Sequence, residues 1–444
     1  MSFPRYPTYM GSGIEWLGDV PVHWKVLPIR RSFQIIGGST PNSESAALWD
    51  GDILWATPAD LSKRRSLYIE DTQRKISAEG LESCGTKLVP AGSIILSTRA
   101  PIGSLGIAST AMCTNQGCKA LVPSERTNSP FFARLLSINS AELNIRGKGT
   151  TFLELSGDEL GAFRVPVPPH SEQGQIASFL DRETMKIDLL VDEQRRLIDL
   201  LSEKRQAVIS HAVTNGLNAD AATTPSGIRW LGDVPAHWSV VGLTKYLASL
   251  VDYRGRTPNK VVEGVFLVTA RNIRDGRIDY EASEEYIEPD EYEDVMRRGK
   301  PACGDVLFTT EAPLGGVANV DRMDVALAQR IIKFRGHPEA LDNYFLKYWL
   351  MGSFAQADMY RLATGSTALG IKGSKVGQLR LCLPPLPEQV AIVRHLDQRL
   401  LELDSLTAEA ERAIDLLLER RSAVIFAAAT GKIDVRRLAN AQAA

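Results

Sequence analysis

The sequence predicts a mixed α/β fold made of two globular domains of one kind, each followed by a long α-helix, a pseudo-twofold internal duplication whose helices form a coiled coil. Three observations predict it. A segment at residues 12–26 is written again at 226–240. Shorter motifs behind it recur in the same order. Each half then ends in an apolar stripe of 3.5-residue period.

Residues 12–26 read SGIEWLGDVPVHWKV and residues 226–240 read SGIRWLGDVPAHWSV, at an offset of 226 − 12 = 214. Only Glu15/Arg229, Val22/Ala236 and Lys25/Ser239 differ. Thr40-Pro41-Asn42 recurs as Thr257-Pro258-Asn259, and Ala100-Pro101-Ile102-Gly103 as Ala312-Pro313-Leu314-Gly315. Gly149-Thr150-Thr151 recurs as Gly365-Ser366-Thr367. Pro168-Pro169-His170-Ser171-Glu172-Gln173 recurs as Pro384-Pro385-Leu386-Pro387-Glu388-Gln389. So long a period is not that of a solenoid, whose units run roughly 20–50 residues. Residues 60–90 and 271–300 share little, so the copies keep a frame and differ in part of their surface. Two readers tuned to different targets have this pattern. Ile94–Leu96 and Val306–Phe308 read as buried strands, and Phe131–Ile138 and Tyr344–Met351 as helices.

After each Pro-Pro the period changes. Ile176, Leu180, Ile187, Leu190, Leu197, Leu201 and Val208 follow alternating steps of three and four, with Glu183, Gln194, Lys204 and His211 filling the rest. Ile392, Leu396, Leu403, Leu406, Ala410, Ala413, Leu417 and Val424 repeat the stripe at an offset of 392 − 176 = 216. Ser171 is expected to cap the first helix, Pro387 to sit in the first turn of the second, and Glu172 and Glu388 to face the positive helix ends. Gly216 and Gly431 are expected as stops. Each helix is then about 40 residues, or about 60 Å, and needs a partner for its stripe. The division that follows is 12–167 and 226–383 for the globular domains, 168–217 and 384–431 for the helices, and 218–225 for a small polar linker.

The chain has 444 residues, is 44% hydrophobic and 23% charged, and carries a formal charge of −2. No apolar run approaches the roughly 20 residues of a membrane helix. The start, MSFPRYPTYMGSG, lacks the layout of a signal peptide, so a cytoplasmic location is expected. Cys84, Cys113, Cys118, Cys303 and Cys382 make no disulfide framework and no metal motif. Near-neutral charge is compatible with nucleic acid if basic residues share a face.

Catalysis lacks its motifs. There is no Gly-Lys-Ser/Thr phosphate loop. Pro168-Pro169 and Pro384-Pro385 lack the flanking polar and aromatic residues of a base-methylating loop, and read as rigid stops before a helix. No carboxylate–lysine cluster suggests a nuclease. His23 and His237 are expected to be structural hydrogen-bonders, and Trp16, Trp24, Trp230 and Trp238 a packing clamp.

The paired Trp-Leu-Gly-Asp-Val-Pro-x-His-Trp and Pro-Pro-x-x-Glu-Gln motifs, twice over in one order, resemble the specificity subunit of type I restriction–modification enzymes over nearly the whole chain. The resemblance implies a non-catalytic subunit with two target recognition domains, each reading one half of a split, asymmetric DNA site. It implies that the long helices pack antiparallel, set the spacing and dock the partners. Those partners are two adenine-N6 methyltransferase subunits that bind S-adenosylmethionine and two restriction subunits that use ATP and Mg. This chain would bind no cofactor and no metal itself. A coiled-coil scaffold that binds no DNA is the alternative, and a self-contained methylase or nuclease a more distant one.

Phosphate contacts call for Lys and Arg, base edges for side chains in the grooves. The first domain offers Lys63, Arg64, Arg65, Arg99, Arg146 and Lys148. The second offers Arg254, Arg256, Arg271, Arg274, Arg277, Lys372 and Lys375. Thr150, Thr151, Ser366 and Thr367 of the repeated glycine loop are candidate phosphate donors.

Overall fold

The opening segment folds alike in both halves of the computed structural model, which describes residues 3–62, 66–99, 101–148, 153–253, 258–365 and 369–437. The chain divides into two compact units, one of Met1–Glu193 with Ala413–Ala444 and one of Gln194–Arg412.

In the first unit Tyr9–Gly11 pairs with Asp19–Pro21, and Lys25–Pro28 pairs with Arg164–Val167, so that the third strand and the last close on each other. Between them lies a five-stranded sheet in the order Phe33–Gly37, Cys118–Pro123, Ile94–Ser97, Leu105–Ala108, Tyr68–Ile69. A three-stranded sheet joins Cys113–Thr114, Trp49–Ala56 and Lys75–Ile76, the first pair parallel. The apolar run Ile94-Ile95-Leu96 is fully buried at the middle of the larger sheet, as its composition predicts. The helix Ser129–Ser137 packs beside it, capped by Asn128, whose side chain accepts from the Phe131 amide at 3.1 Å.

The second unit repeats this plan. Thr223–Pro225 pairs with Asp233–Pro235, and Ser239–Gly242 with Arg380–Leu383. A four-stranded antiparallel sheet runs Leu247–Asp252, Ile331–Gly336, Val306–Thr310, Leu314–Asn319. Val265–Val268 lies between Tyr286–Ile287 and the parallel Val325–Leu327. Among the described residues, a tight hairpin of Ile273–Arg274 and Arg277–Ile278 has no counterpart in the first unit. Asp275 and Gly276 turn it, with φ of 49° and 82°, the pair of left-handed residues that a two-residue hairpin loop requires. Asp342 caps the helix Asn343–Met351 through the Tyr344 and Phe345 amides.

The long helices are His170–Asn215 and Leu386–Ala429, of 46 and 44 residues. Both stop at the expected glycines, Gly216 at φ 75° and Gly431 at φ 76°. Ser171 is not the cap: the first helix already begins at His170, directly behind the rigid Pro168-Pro169. The core of the first unit takes in Ile176, Phe179 and Leu180 from the start of the central helix and Ile425, Ala428 and Ala429 from the end of the C-terminal one. In the second unit the opposite ends meet, Ile209, Ala212 and Val213 with Ile392, Leu396 and Leu400. The two helices therefore pack antiparallel, which the resemblance implies.

The 3.5-residue period holds, but every second seam position lies one residue later than the leucines suggest. Central-helix positions 180, 184, 187 and 191 are buried in the first unit, and 194, 198, 201, 205, 208 and 212 are half-buried or buried in the second. The C-terminal helix uses the equivalents 216 residues on, 396 to 410 in the second unit and 414 to 428 in the first. Leu190, Leu197 and Leu406 are 50%, 41% and 48% exposed, and Lys204, His211, Arg399 and Arg420 face solvent. Leucine drew the sequence reading to the wrong face because the true seam holds polar residues with local partners. The Thr184 hydroxyl donates to the Leu180 carbonyl at 2.8 Å and Thr407 to Leu403 at 3.0 Å. Arg421 pairs with Asp188 in the first unit, and the equivalent Arg205 with Asp404 in the second.

Candidate nucleic-acid interface

Each domain is fixed to its long helix by the two repeated motifs, which recognise each other. Glu172 accepts from Trp24 Nε1 at 3.2 Å and from the Tyr6 hydroxyl at 2.6 Å, and lies 2.9 Å from His23 Nε2. Glu388 does the same for Trp238 at 3.1 Å and His237 at 2.8 Å. Burial and the neighbouring Glu172 push the Tyr6 hydroxyl far above its ordinary pKa, so it stays a donor. The next residue ties the domain helix: Gln173 accepts from the Asn128 amide and Gln389 from the Asp342 amide, both at 2.9 Å. The histidines are thus structural hydrogen-bonders, and Trp24 and Trp238 form the clamp. Trp16 stacks on Phe163, while Trp230 is 46% exposed beneath the Arg361 guanidinium.

With the domain anchored, one corner of it gathers three loops. In the first domain the strand Ile94–Ser97 runs into a turn where the Ser97 hydroxyl donates to the Pro101 carbonyl at 2.6 Å. In the second, Thr309 donates to Pro313 at 2.6 Å. The next backbone amide, Thr98 or Thr310, donates to the carbonyl of Gly117 or Arg330 at 2.8 Å in both cases. The base of the glycine loop closes on the same corner, with bridges Lys148–Glu154 and Arg99–Glu154 in one domain and Thr364–Gly370 and Glu311–Gly370 in the other. A third loop joins through Thr57 and Asp60: Asp60 accepts from the Thr57 amide and hydroxyl at 2.9 and 2.6 Å. Asn272 holds Thr269 in the same way at 2.9 and 2.8 Å.

Both corners carry an exposed arginine–glutamate pair, built from different positions. Arg99 pairs with Glu154 at 3.0 Å, whereas Glu311, at the place of Arg99, pairs with Arg330 at 2.8 Å. Arg330 has φ 77°, a left-handed conformation that a bulky residue rarely adopts. It lines a cleft of about 230 Å³ with Lys260, Arg271, Glu285 and Gln329.

Among known families, the one described as the type I restriction modification DNA specificity domain matches residues 21–197 and 298–414. The chain belongs to this type I DNA specificity family. The two matched stretches each carry a domain's closing strand and the start of its long helix. Among similar proteins, the MjaIX specificity subunit of Methanocaldococcus jannaschii is 31% identical over 42% of this chain and 43% of its own length. That match spans less than half of the relative. The EcoKI specificity subunit of Escherichia coli is 23% identical over 71% of this chain and 68% of its own. The fold agrees with a chain from a study of type I R-M complex assembly, at a TM-score of 0.64, 16% identity and coverage of 92% and 98%. It also agrees with the HsdS subunit of Thermoanaerobacter tengcongensis, at a TM-score of 0.52, 15% identity and coverage of 93% and 98%.

In this specificity-family chain, Lys63, Arg64, Arg65, Thr150, Thr151, Arg254, Arg256, Ser366 and Thr367 lie outside the described residues. Arg99 and Lys148 come together at the first domain's corner, Lys148 78% exposed and bonded to Glu159 at 2.6 Å. Arg146 turns inward over Phe163, 5.3 Å from the ring centre. Arg271 lines the second domain's cleft. Arg274 and Arg277 flank the exposed hairpin turn: Arg274 lines a groove with Pro313, Leu314 and Gly315 of the second corner's turn, while Asp275 and Arg277 line a separate groove with Arg205, Asp404 and Glu411. Lys372 is exposed, and Lys375 is bonded to the Leu362 carbonyl at 3.1 Å. Sequence reasoning missed Gln116, Lys260, Gln329 and Arg330. For the glutamines a signal existed, Asn115-Gln116-Gly117 against Ala328-Gln329-Arg330, but one shared residue is too little to find in sequence alone. Among the described residues, no helix is long and apolar enough to cross a membrane.

Proposed function

We propose that this chain reads a bipartite, asymmetric site on duplex DNA, one globular domain to each half, for a type I restriction–modification enzyme. The observation that carries it is the corner built twice on one backbone plan with different side chains on its rim, which is what two readers of different half-sites need. Residues 12–167 and 226–383 are the readers, and the helices at 168–217 and 384–431 set their spacing, with 218–225 as the linker, whose last three residues, Thr223–Pro225, already pair with the second reader. Arg99, Lys148 and Arg271, with Arg330, supply charge at the corners. Arg274, Arg277 and Lys372, together with Lys63, Arg64, Arg65, Arg254 and Arg256, extend it along the DNA backbone, and Arg146 and Lys375 back this line from Phe163 and the Leu362 carbonyl, to which they are tied. Thr150, Thr151, Ser366 and Thr367 of the repeated glycine motif donate to phosphate.

The chain performs no chemistry itself. Two adenine-N6 methyltransferase subunits with S-adenosylmethionine, and two restriction subunits with ATP and Mg, act in the cytoplasm on the site it selects. Such subunits dock on exposed leucines of the helices, Leu190 and Leu416 in the first unit and Leu197, Leu200 and Leu406 in the second. A mobility-shift assay with and without the methyltransferase subunit, at fixed salt because phosphate contacts are salt-sensitive, tests this. The partner should raise discrimination between specific and unrelated duplex. A chain that binds no duplex even with its partner is the scaffold instead.

A further inference from the structure

We infer that Gln116 and Gln329 are the base-reading side chains at the two corners, each recognising the major-groove edge of an adenine in its own half-site. This rests on the reading of the chain as a bipartite DNA reader.

The two glutamines occupy one place in the fold. The loop Asn115–Gly117 is held by the Asn115 amide donating to the Ala56 carbonyl at 3.0 Å and by the Gly117 carbonyl accepting from Thr98 at 2.8 Å. The loop Ala328–Arg330 is held by Ala328 donating to Val268 at 2.9 Å and by Arg330 accepting from Thr310 at 2.8 Å. Both flanking residues are exchanged, Asn115 for Ala328 and Gly117 for Arg330, and only the glutamine between them is kept. The exchange has room to happen: a Cβ on Gly117 would stand 3.1 Å from the Pro58 ring, and Ala270 occupies that place in the second domain.

Neither glutamine is needed to hold the fold. Gln116 is exposed, and its carbonyl oxygen takes only the hydroxyl of Thr40, itself exposed on a neighbouring loop. Gln329 is half-buried at the wall of the basic cleft, and makes no side-chain hydrogen bond among the described residues. A carboxamide carries one acceptor and one donor group side by side, the complement of adenine N6 and N7. Beside Gln329, Arg271 supplies charge for a phosphate backbone, while Lys260 is paired with Glu285 at 2.7 Å and Arg330 with Glu311 at 2.8 Å, which leaves the cleft with a net positive lining. At Gln329 a fixed backbone carries an uncommitted amide next to cations, and at Gln116 the amide nitrogen makes no bond among the described residues while the oxygen takes the Thr40 hydroxyl.

The test maps methylated adenines by sequencing in cells that express the full chain with the methyltransferase subunit of its own system. Gln116→Ala should leave one half-site and the spacing intact and relax one base pair of the other half by about 5- to 150-fold. Gln329→Ala should do the converse. Gln116→Glu keeps the side-chain shape but offers only acceptors, and should shift that base pair toward cytosine, whose N4 donates. All three should keep the wild-type melting temperature, since surface glutamines contribute little to stability. A wild-type chain that directs no bipartite methylation overturns the reading on which this inference rests. A wild-type motif that survives all three substitutions unchanged, or a single substitution that alters both halves, overturns the assignment of the glutamines alone.

Discussion

Asp305 shows how far the two domains diverge beneath a shared backbone. It is 1% exposed and takes Arg335 through two bonds at 2.6 and 2.7 Å, Lys333 at 3.1 Å and the Ala302 amide at 2.9 Å. The first domain has Ser93, Ala120 and Val122 at the matching places, so the ionic network belongs to the second domain only. Burial pushes the Asp305 carboxyl up, but the bonds from Arg335, Ala302 and Lys333 outweigh it and hold the carboxyl below its ordinary range. A depressed folded pKa contributes stability that is full above the unfolded value of about 3.9 and is lost as pH falls through the folded one. Asp305→Asn leaves Lys333 buried without its counter-charge, and should destabilise the second unit by about 3–5 kcal/mol. Denaturant unfolding at neutral pH should show that loss. The difference from wild type should shrink below about pH 4, where Asp305 of the unfolded chain begins to take up a proton while the folded carboxyl is still ionised.

Among the elements, the long helices were the most legible in sequence, because a period sustained through some forty residues has no other fold. Their glycine stops and the central strand runs were equally plain. The seam register was not, since hydrophobicity favours Leu190 over its neighbour Val191, and only tertiary burial decides between them. Val191 is 3% exposed against 50% for Leu190. Val191→Ala should therefore cost about 1.5–3 kcal/mol, and Leu190→Ala less than about 1. Equal losses in thermal unfolding would return the seam to the leucines. The candidate interface was less legible than the frame. Its corner is assembled from loops distant in sequence, and its arginine–glutamate pairs use different positions in the two domains. Arg330 stands outside every motif repeated between the halves, and the neighbouring pair, Thr269 with Asn272 against Thr57 with Asp60, shares only one residue identity.

On the scale of the molecule, the duplication makes each helix end a substitute for its counterpart. A fragment ending at Asn218 lacks Ile425, Ala428 and Ala429, which the first unit buries. A second copy of the fragment offers Ile209, Ala212 and Val213 at the same register, and Arg205 in place of Arg421 for Asp188. Glu183 is only half-buried, and Lys204 and His211 face solvent, so they do not obstruct this pairing. The fragment should sediment as a twofold dimer and, given its methyltransferase subunit, mark a palindrome of one half-site. A folded monomer, or a dimer that marks the original asymmetric site, would contradict it.

The central claim is that each globular domain reads one half-site independently. The most direct measurement replaces residues 27–165 by the matching segment of a relative with a different target and maps methylated adenines across a genome. One half should take a new sequence, with the other half and the spacer between them unchanged. A change in both halves would contradict the claim.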